Sequence, residues 1–172
     1  HGTGNHFIII YFPECLELDL NENLIQKLCD YNTGIGADGL ITVSNHEKYD
    51  YKMDYYNNDG TWETMCANGA RCVGLFLYEK RIISTEATFI TGDGEHNIKI
   101  LDKNNVELTM FPPKYVNNEI IVENLSGFSV NSGAKHFVIE IEKNQELEWM
   151  EVGRKIRYSS HFPKGTNVNF VK

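Results

Sequence analysis

The chain of 172 residues lacks any apolar run near the roughly 20 residues of a membrane span. It has only four prolines, and no Lys/Arg cluster interrupts the balance of 16 basic and 24 acidic residues. The net charge of −8 argues against a nucleic-acid partner. The start, His1-Gly2-Thr3-Gly4-Asn5, has neither the charged nor the apolar region of a signal peptide. It also has no initiating Met, so some residues are expected to be missing from this sequence. The four cysteines, Cys15, Cys29, Cys66 and Cys72, form no paired C-x2-C motifs. That argues against a zinc site, and no metal is expected. With no export signal, reduced thiols and a cytoplasmic location are expected, without a membrane partner. What is present is ordinary for a globular protein: 41% hydrophobic and 23% charged residues.

Periodicity predicts a strand over Phe7 to Phe12, buried because it is continuously apolar. A helix over Asn21 to Asp30 has Leu24, Ile25 and Leu28 on one face. Strands follow at Leu40 to Val43 and Tyr49 to Tyr56. A helix after Cys66 runs through Val73, Leu75, Phe76, Leu77 and Tyr78. Ala87 to Thr91, His96 to Leu101 and Val106 to Met110 read as strands joined by turns at Gly92-Asp93-Gly94 and Asp102 to Asn105. Pro112-Pro113 breaks the pattern and is taken as a domain boundary. Beyond it, strands are expected near Glu119 to Glu123, Phe128 to Asn131 and His136 to Ile141. A helix over Leu147 to Ile156 precedes a last strand, Asn167 to Val171.

This order predicts an α+β fold of two similar mixed α/β domains. Residues 1–112 form an N-terminal domain carrying Cys66, and residues 113–172 the first part of a C-terminal one. The helix of the second half takes the same place in the order as the helix after Cys66. A terminal strand without a partner would be a poor edge, so the second domain is expected to be incomplete in this chain.

Met65 to Cys72 puts a thiol where the loop Asn57-Asn58-Asp59-Gly60 leads into a helix. A helix start offers unpaired backbone N–H groups and the positive end of the helix dipole. Both favour thiolate over thiol, so Cys66 can serve as a base near neutral pH. The same N–H groups can hold a carboxylate or an enolate-like oxyanion. That combination suits removal of a proton next to a carboxylate. The competing reading makes Cys66 a small apolar residue capping a buried helix.

Gly34-x-Gly36-x-x-Gly39 has the spacing of a dinucleotide loop, but it follows a helix and precedes a strand. That motif requires the reverse order, which argues against a nucleotide cofactor. Asn5, Asn57, Asn58 and Asn68 lie in glycine-rich loops, where Asn is common for conformational reasons. Beside a helix-start thiol they can instead supply amide groups to a polar amino acid. His136, at the start of a strand, is either a structural histidine or one that tunes a thiol.

Several motifs resemble those of the diaminopimelate epimerase family, in the family's order. They are His1-Gly2-Thr3-Gly4-Asn5-His6-Phe7, Gly34 to Gly39, Asn57 to Gly60 with Met65 to Cys72, Ser132 to Val138, Gly153 to Arg157, and Phe162 to Phe170. The resemblance implies two similar α+β domains with a cleft between them. It implies no cofactor, a diaminopimelate substrate in lysine and peptidoglycan-precursor synthesis, and association into homodimers.

It further implies that Cys66 is one of two acid/base thiols, one taking the α-proton and the other returning a proton from the opposite face. The N–H groups of Ala67 and Asn68 would hold the reacting carboxylate. Asn5, Asn57 and Asn167 would bind the substrate's polar groups, and His136 would tune the thiols. The family's second cysteine lies in an ACG(T/S)G motif that does not occur in these 172 residues. Cys72 is six residues beyond Cys66, about 9 Å along a helix and on another face. Cys15 and Cys29 carry no surrounding motif. The chain alone is therefore expected to be inactive.

His6, Gly39, Ala67, Ala134 and Lys135 depart from the family's usual residues, which leaves substrate choice open. Two alternatives stand beside this expectation. One is another thiol-based amino-acid racemase of the same fold; the other is a non-catalytic interaction module.

Overall fold

The β-branched and aromatic run Phe-Ile-Ile-Ile-Tyr suits a pleated ladder. In the computed structural model it is strand β1 (Phe7–Tyr11). The structure describes all residues except 15–17, 117 and 143–147. Cys15 and the expected helix start at Leu147 lie outside the described residues. The chain divides into two compact units, His1–Met110 and Phe111–Lys172.

In the first unit, β1 is followed by a 3-10 turn (Phe12–Glu14) and helix α1 (Glu22–Cys29). The Asn21 side chain caps α1 by accepting the Leu24 N–H at 3.0 Å. Then come β2 (Gly39–Ser44), β3 (Tyr51–Asn57), the short β4 (Trp62–Glu63) and helix α2 (Ala67–Glu79). Strands β5 (Glu86–Thr91), β6 (Gly94–Ile100) and β7 (Val106–Leu108) complete the unit. The sheet order is β1-β2-β3-β5-β6-β7, with β4 on β3. β1 runs parallel to β2, and β3 parallel to β5.

Strand periodicity sorts the side chains onto two faces. Ile8, Ile10 and Leu40 pack with Ile25 and Cys29 of α1. Phe7, Ile9, Ile41 and Val43 pack with Ala70, Val73 and Leu77 of α2. The two helices thus cover opposite faces of one sheet. A side chain at Gly74 would put a Cβ 2.3 Å from Ile98 Cδ1, so glycine there lets α2 settle close to β6. The expectation of a buried first strand needs correcting. β1 is an edge strand, and of its residues only Ile10 is buried. Phe12 leaves the ladder because Pro13 has no N–H to continue it.

The second unit contains β8 (Lys114–Tyr115), β9 (Ile120–Val122), β10 (Leu125–Asn131), β11 (Lys135–Glu140), α3 (Trp149–Arg157) and β12 (Asn167–Val171). Its sheet runs β12-β11-β10-β8, with β9 on β10. Phe137, Ile139, Val168 and Phe170 pack with Ile156 of α3. The last strand has a partner after all: it pairs in parallel along β11 from His136↔Asn167 to Glu140↔Val171.

The place given to the helix of this unit also changes. α3 joins consecutive strands that pair in parallel, as α1 does between β1 and β2. The helix after Cys66 is instead preceded by β4, a strand too short to show any periodicity. Among the described residues, no helix is long and apolar enough to cross a membrane.

Candidate functional site

Met65 is buried against the sheet, and the chain turns into α2 directly after it. Cys66 is the N-cap of that helix, with extended backbone at φ −135° and ψ 107°. Its Sγ accepts the Gly69 N–H at 3.4 Å, and its carbonyl accepts the Ala70 N–H at 2.8 Å. The thiol is half-buried. The electrostatics depart from the expectation drawn from the helix start. Burial pushes the Cys66 thiol up, and this outweighs the downward pull of the Gly69 and Asn68 N–H groups and of Arg71. The dipole is a local property of the helix start, whereas the desolvation comes from the packing around it. Cys66 is thus predominantly a thiol at neutral pH.

An amide network surrounds this helix start. Asn68 Nδ2 donates to Asn5 Oδ1 at 2.7 Å. Arg71 donates to Asn68 Oδ1 and to Thr3 Oγ1 at 3.3 Å. The segment before β1 is therefore stitched to α2 across more than 60 residues of sequence. Gly2 lies close to the same helix, where an added Cβ would meet the Asn68 carbonyl at 2.8 Å.

Asn57 ends β3, and its amide is held within the unit. Its Oδ1 accepts the Tyr55 hydroxyl at 3.0 Å, and its Nδ2 donates to Thr61 at 3.1 Å. Burial first, and Cys66 second, push the Tyr55 hydroxyl up. Of the expected site residues in this unit, Cys66, Ala67, Asn68 and Asn5 come together. Asn57 is not hydrogen-bonded to them and is held instead by Tyr55, which sequence reasoning passes over.

In the second unit, His136 and Asn167 are register partners on β11 and β12. Asn167 Nδ2 donates to the Lys135 carbonyl at 3.2 Å, and Asn169 Nδ2 lies 2.9 Å from His136 Nδ1. Arg157 donates to the Thr166 carbonyl at 2.9 Å, which holds the turn that delivers Asn167.

The glycine loop is not a phosphate cradle. The N–H groups of Ile35 and Gly36 donate to the Leu28 carbonyl, and that of Ala37 to the Cys29 carbonyl. These amides satisfy the carboxyl end of α1 rather than facing outward. Cys29 is fully buried, and burial pushes its thiol up. Among the described residues, no group of three or more His, Cys, Asp or Glu side chains could hold a metal.

These features define a class: a mixed α/β protein that presents a half-buried cysteine at a helix start, ringed by amides. A family model described as "Diaminopimelate epimerase" matches residues 1–116. The diaminopimelate epimerase of Aquifex aeolicus is 35% identical over 99% of this chain and 66% of its own length. That of Flavobacterium psychrophilum is 41% identical over 99% of this chain and 65% of its length. Among solved structures, a "Predicted Epimerase" of Pseudomonas aeruginosa shares the fold at a TM-score of 0.64 and 8% identity. That match covers 99% of this chain and 65% of the other. The chain belongs to the diaminopimelate epimerase family. It spans just under two thirds of the length of these curated relatives.

Proposed function

We propose that the protein carrying this chain interconverts LL- and meso-2,6-diaminopimelate by proton transfer at Cα. The observation that supports this most is Cys66 as the N-cap of α2, with its sulfur facing the helix N–H groups. In this reading the Cys66 thiolate removes the α-proton, and negative charge develops on the substrate carboxylate. Backbone N–H groups at the start of α2, including those of Ala67 and Asn68, stabilise that charge as it forms. An acid on the opposite face returns a proton and inverts the centre.

Burial favours the protonated thiol, which suits Cys66 as the proton donor in one direction; as base in the other it acts through its minor thiolate form. Asn5, Asn57, Asn68 and Asn167 recognise the polar ends of the substrate, and His136 tunes a thiol. The opposing acid is not Cys72, which lies further along the same helix, nor Cys29, which is buried. We place it in the part of the relatives' length that this chain does not match. The chemistry is assigned to protein thiols without pyridoxal phosphate. The protein is assigned to the cytoplasm, to lysine and cell-wall precursor synthesis, and to a homodimer.

The test is incubation of the gene product containing this chain with LL-diaminopimelate in deuterated water. The expected result is deuterium at Cα together with formation of the meso isomer. Exchange of proline but not diaminopimelate would instead identify a related racemase. No exchange with either would leave a binding module.

A further inference from the structure

The loop Gly34 to Gly39 has no part in the chemistry proposed above, yet its Asp38 reaches the amide network beside Cys66. Asp38 stands immediately before β2 and grips the His6 peptide from both sides. Its N–H donates to the His6 carbonyl at 2.9 Å, and its Oδ2 accepts the His6 N–H at 2.8 Å. The same Oδ2 lies 3.5 Å from Asn5 Nδ2. Its Oδ1 accepts the Tyr31 hydroxyl at 3.2 Å. Tyr31 also lies 3.4 Å from His6 Nδ1.

An ionised carboxylate only accepts hydrogen bonds, whereas an amide has one accepting and one donating end. Facing Asp38, Asn5 must turn its Nδ2 toward the carboxylate. Its Oδ1 then points to Asn68, where it accepts the 2.7 Å bond. A flipped Asn5 would set oxygen against carboxylate and nitrogen against nitrogen. The Asn68 side chain is held in turn, because its remaining oxygen accepts from Arg71. Order therefore passes from the glycine loop through Asn5 to the second residue of α2, two positions after Cys66.

We infer that Asp38 is a positioning residue that fixes the amide orientation of Asn5, and through it Asn68, for a substrate bound at Cys66. This rests on the proposed epimerase reading. The amide introduced by Asp38→Asn can present its oxygen to His6 and Asn5, while its nitrogen donates to Tyr31, whose hydroxyl turns round to accept. The role needs an acceptor at that place rather than a charge.

The experiment is a double-mutant cycle on the gene product containing this chain, read as kcat and KM for diaminopimelate exchange. Asp38→Ala in the parent is expected to lower kcat/KM about tenfold, mostly through KM, as misplacement of a binding group does. In an Asn5→Ala background the same substitution should cost less than about twofold, because coupled residues are not additive. Asp38→Asn should retain most of the parental kcat/KM. If Asp38→Ala does not fold, Asp38→Glu takes its place in the cycle, since the longer arm cannot hold both His6 and Asn5. Equal losses in both backgrounds would overturn the positioning role, as would an Asp38→Asn variant as weak as Asp38→Ala. A parent that exchanges no diaminopimelate overturns the epimerase reading and this role with it. Parental turnover with additive losses overturns this role alone.

Discussion

The Sγ of Cys66 accepts the backbone N–H of Gly69 at 3.4 Å, so the thiol closes its own helix in the position usually filled by Ser, Thr, Asp or Asn. One sulfur thus serves both a structural cap and, in the proposed function, proton transfer. The two roles separate on substitution. Cys66→Ser keeps an oxygen able to cap, so its thermal midpoint should match or exceed the parent's. Cys66→Ala should lose less than the roughly 0.5–2 kcal/mol of an oxygen cap, because sulfur is a weak acceptor. Thermal unfolding of both variants checks this. A serine variant as destabilised as the alanine one would show that the cap contributes nothing.

The burial that pushes the Cys66 thiol up sets a pH dependence. A raised pKa keeps the sulfur protonated to higher pH, so its nucleophilic form grows in only above the ordinary thiol range of about 8.5. Alkylation of Cys66 by iodoacetamide, followed by peptide mass, should accelerate with a midpoint above that of free cysteine. A midpoint below it would mean that the helix N–H groups and Arg71 outweigh burial.

Asp38 gives the opposite sign. The His6 N–H holds its carboxyl below the usual carboxylate range, with help from Tyr31 and Asn5. A depressed folded-state pKa contributes stability above the unfolded value of about 3.9 and loses it as the pH falls through the folded value. Asp38→Asn should therefore be less stable than the parent at neutral pH, and the gap should close on acidification. Denaturant midpoints at pH 7 and pH 3 test this, and a gap that does not change with pH would contradict it.

Much of this architecture is legible in the sequence, because it is carried by short-range patterns. The run Phe7 to Tyr11, the apolar face of α1 and the apolar stripe of α2 each lie within one element. β4 and β8 are two residues long and show no period to read. The contact between Asn5 and Asn68 spans 63 positions and exists only once β1 and α2 have met across the sheet. Asp38 sits in a glycine motif whose spacing draws attention to nucleotide binding instead. The signal that singles it out is a lone acid closing a loop in which it has no capping role. The direction of the Cys66 shift is hidden for a related reason: desolvation depends on strands remote in sequence.

Gly39 shows how closely Tyr55 fits the sheet. A Cβ there would sit 2.5 Å from the Tyr55 ring and 2.7 Å from the Tyr56 carbonyl. Gly39→Ala should therefore cost about 1–3 kcal/mol as overpacking. It should also displace the Tyr55 hydroxyl from Asn57. Urea unfolding measures the first effect. A variant as stable as the parent would show that the ring moves freely.

In the proposed function Cys66 moves the α-proton. The most direct test compares the gene product containing this chain with its Cys66→Ala variant, following deuterium uptake at Cα of diaminopimelate by mass and NMR. Uptake by the parent and a loss of about 10³-fold or more in the variant are expected, a size typical of removing an essential acid/base. A folded Cys66→Ala variant that exchanges the α-proton at the parental rate would contradict it.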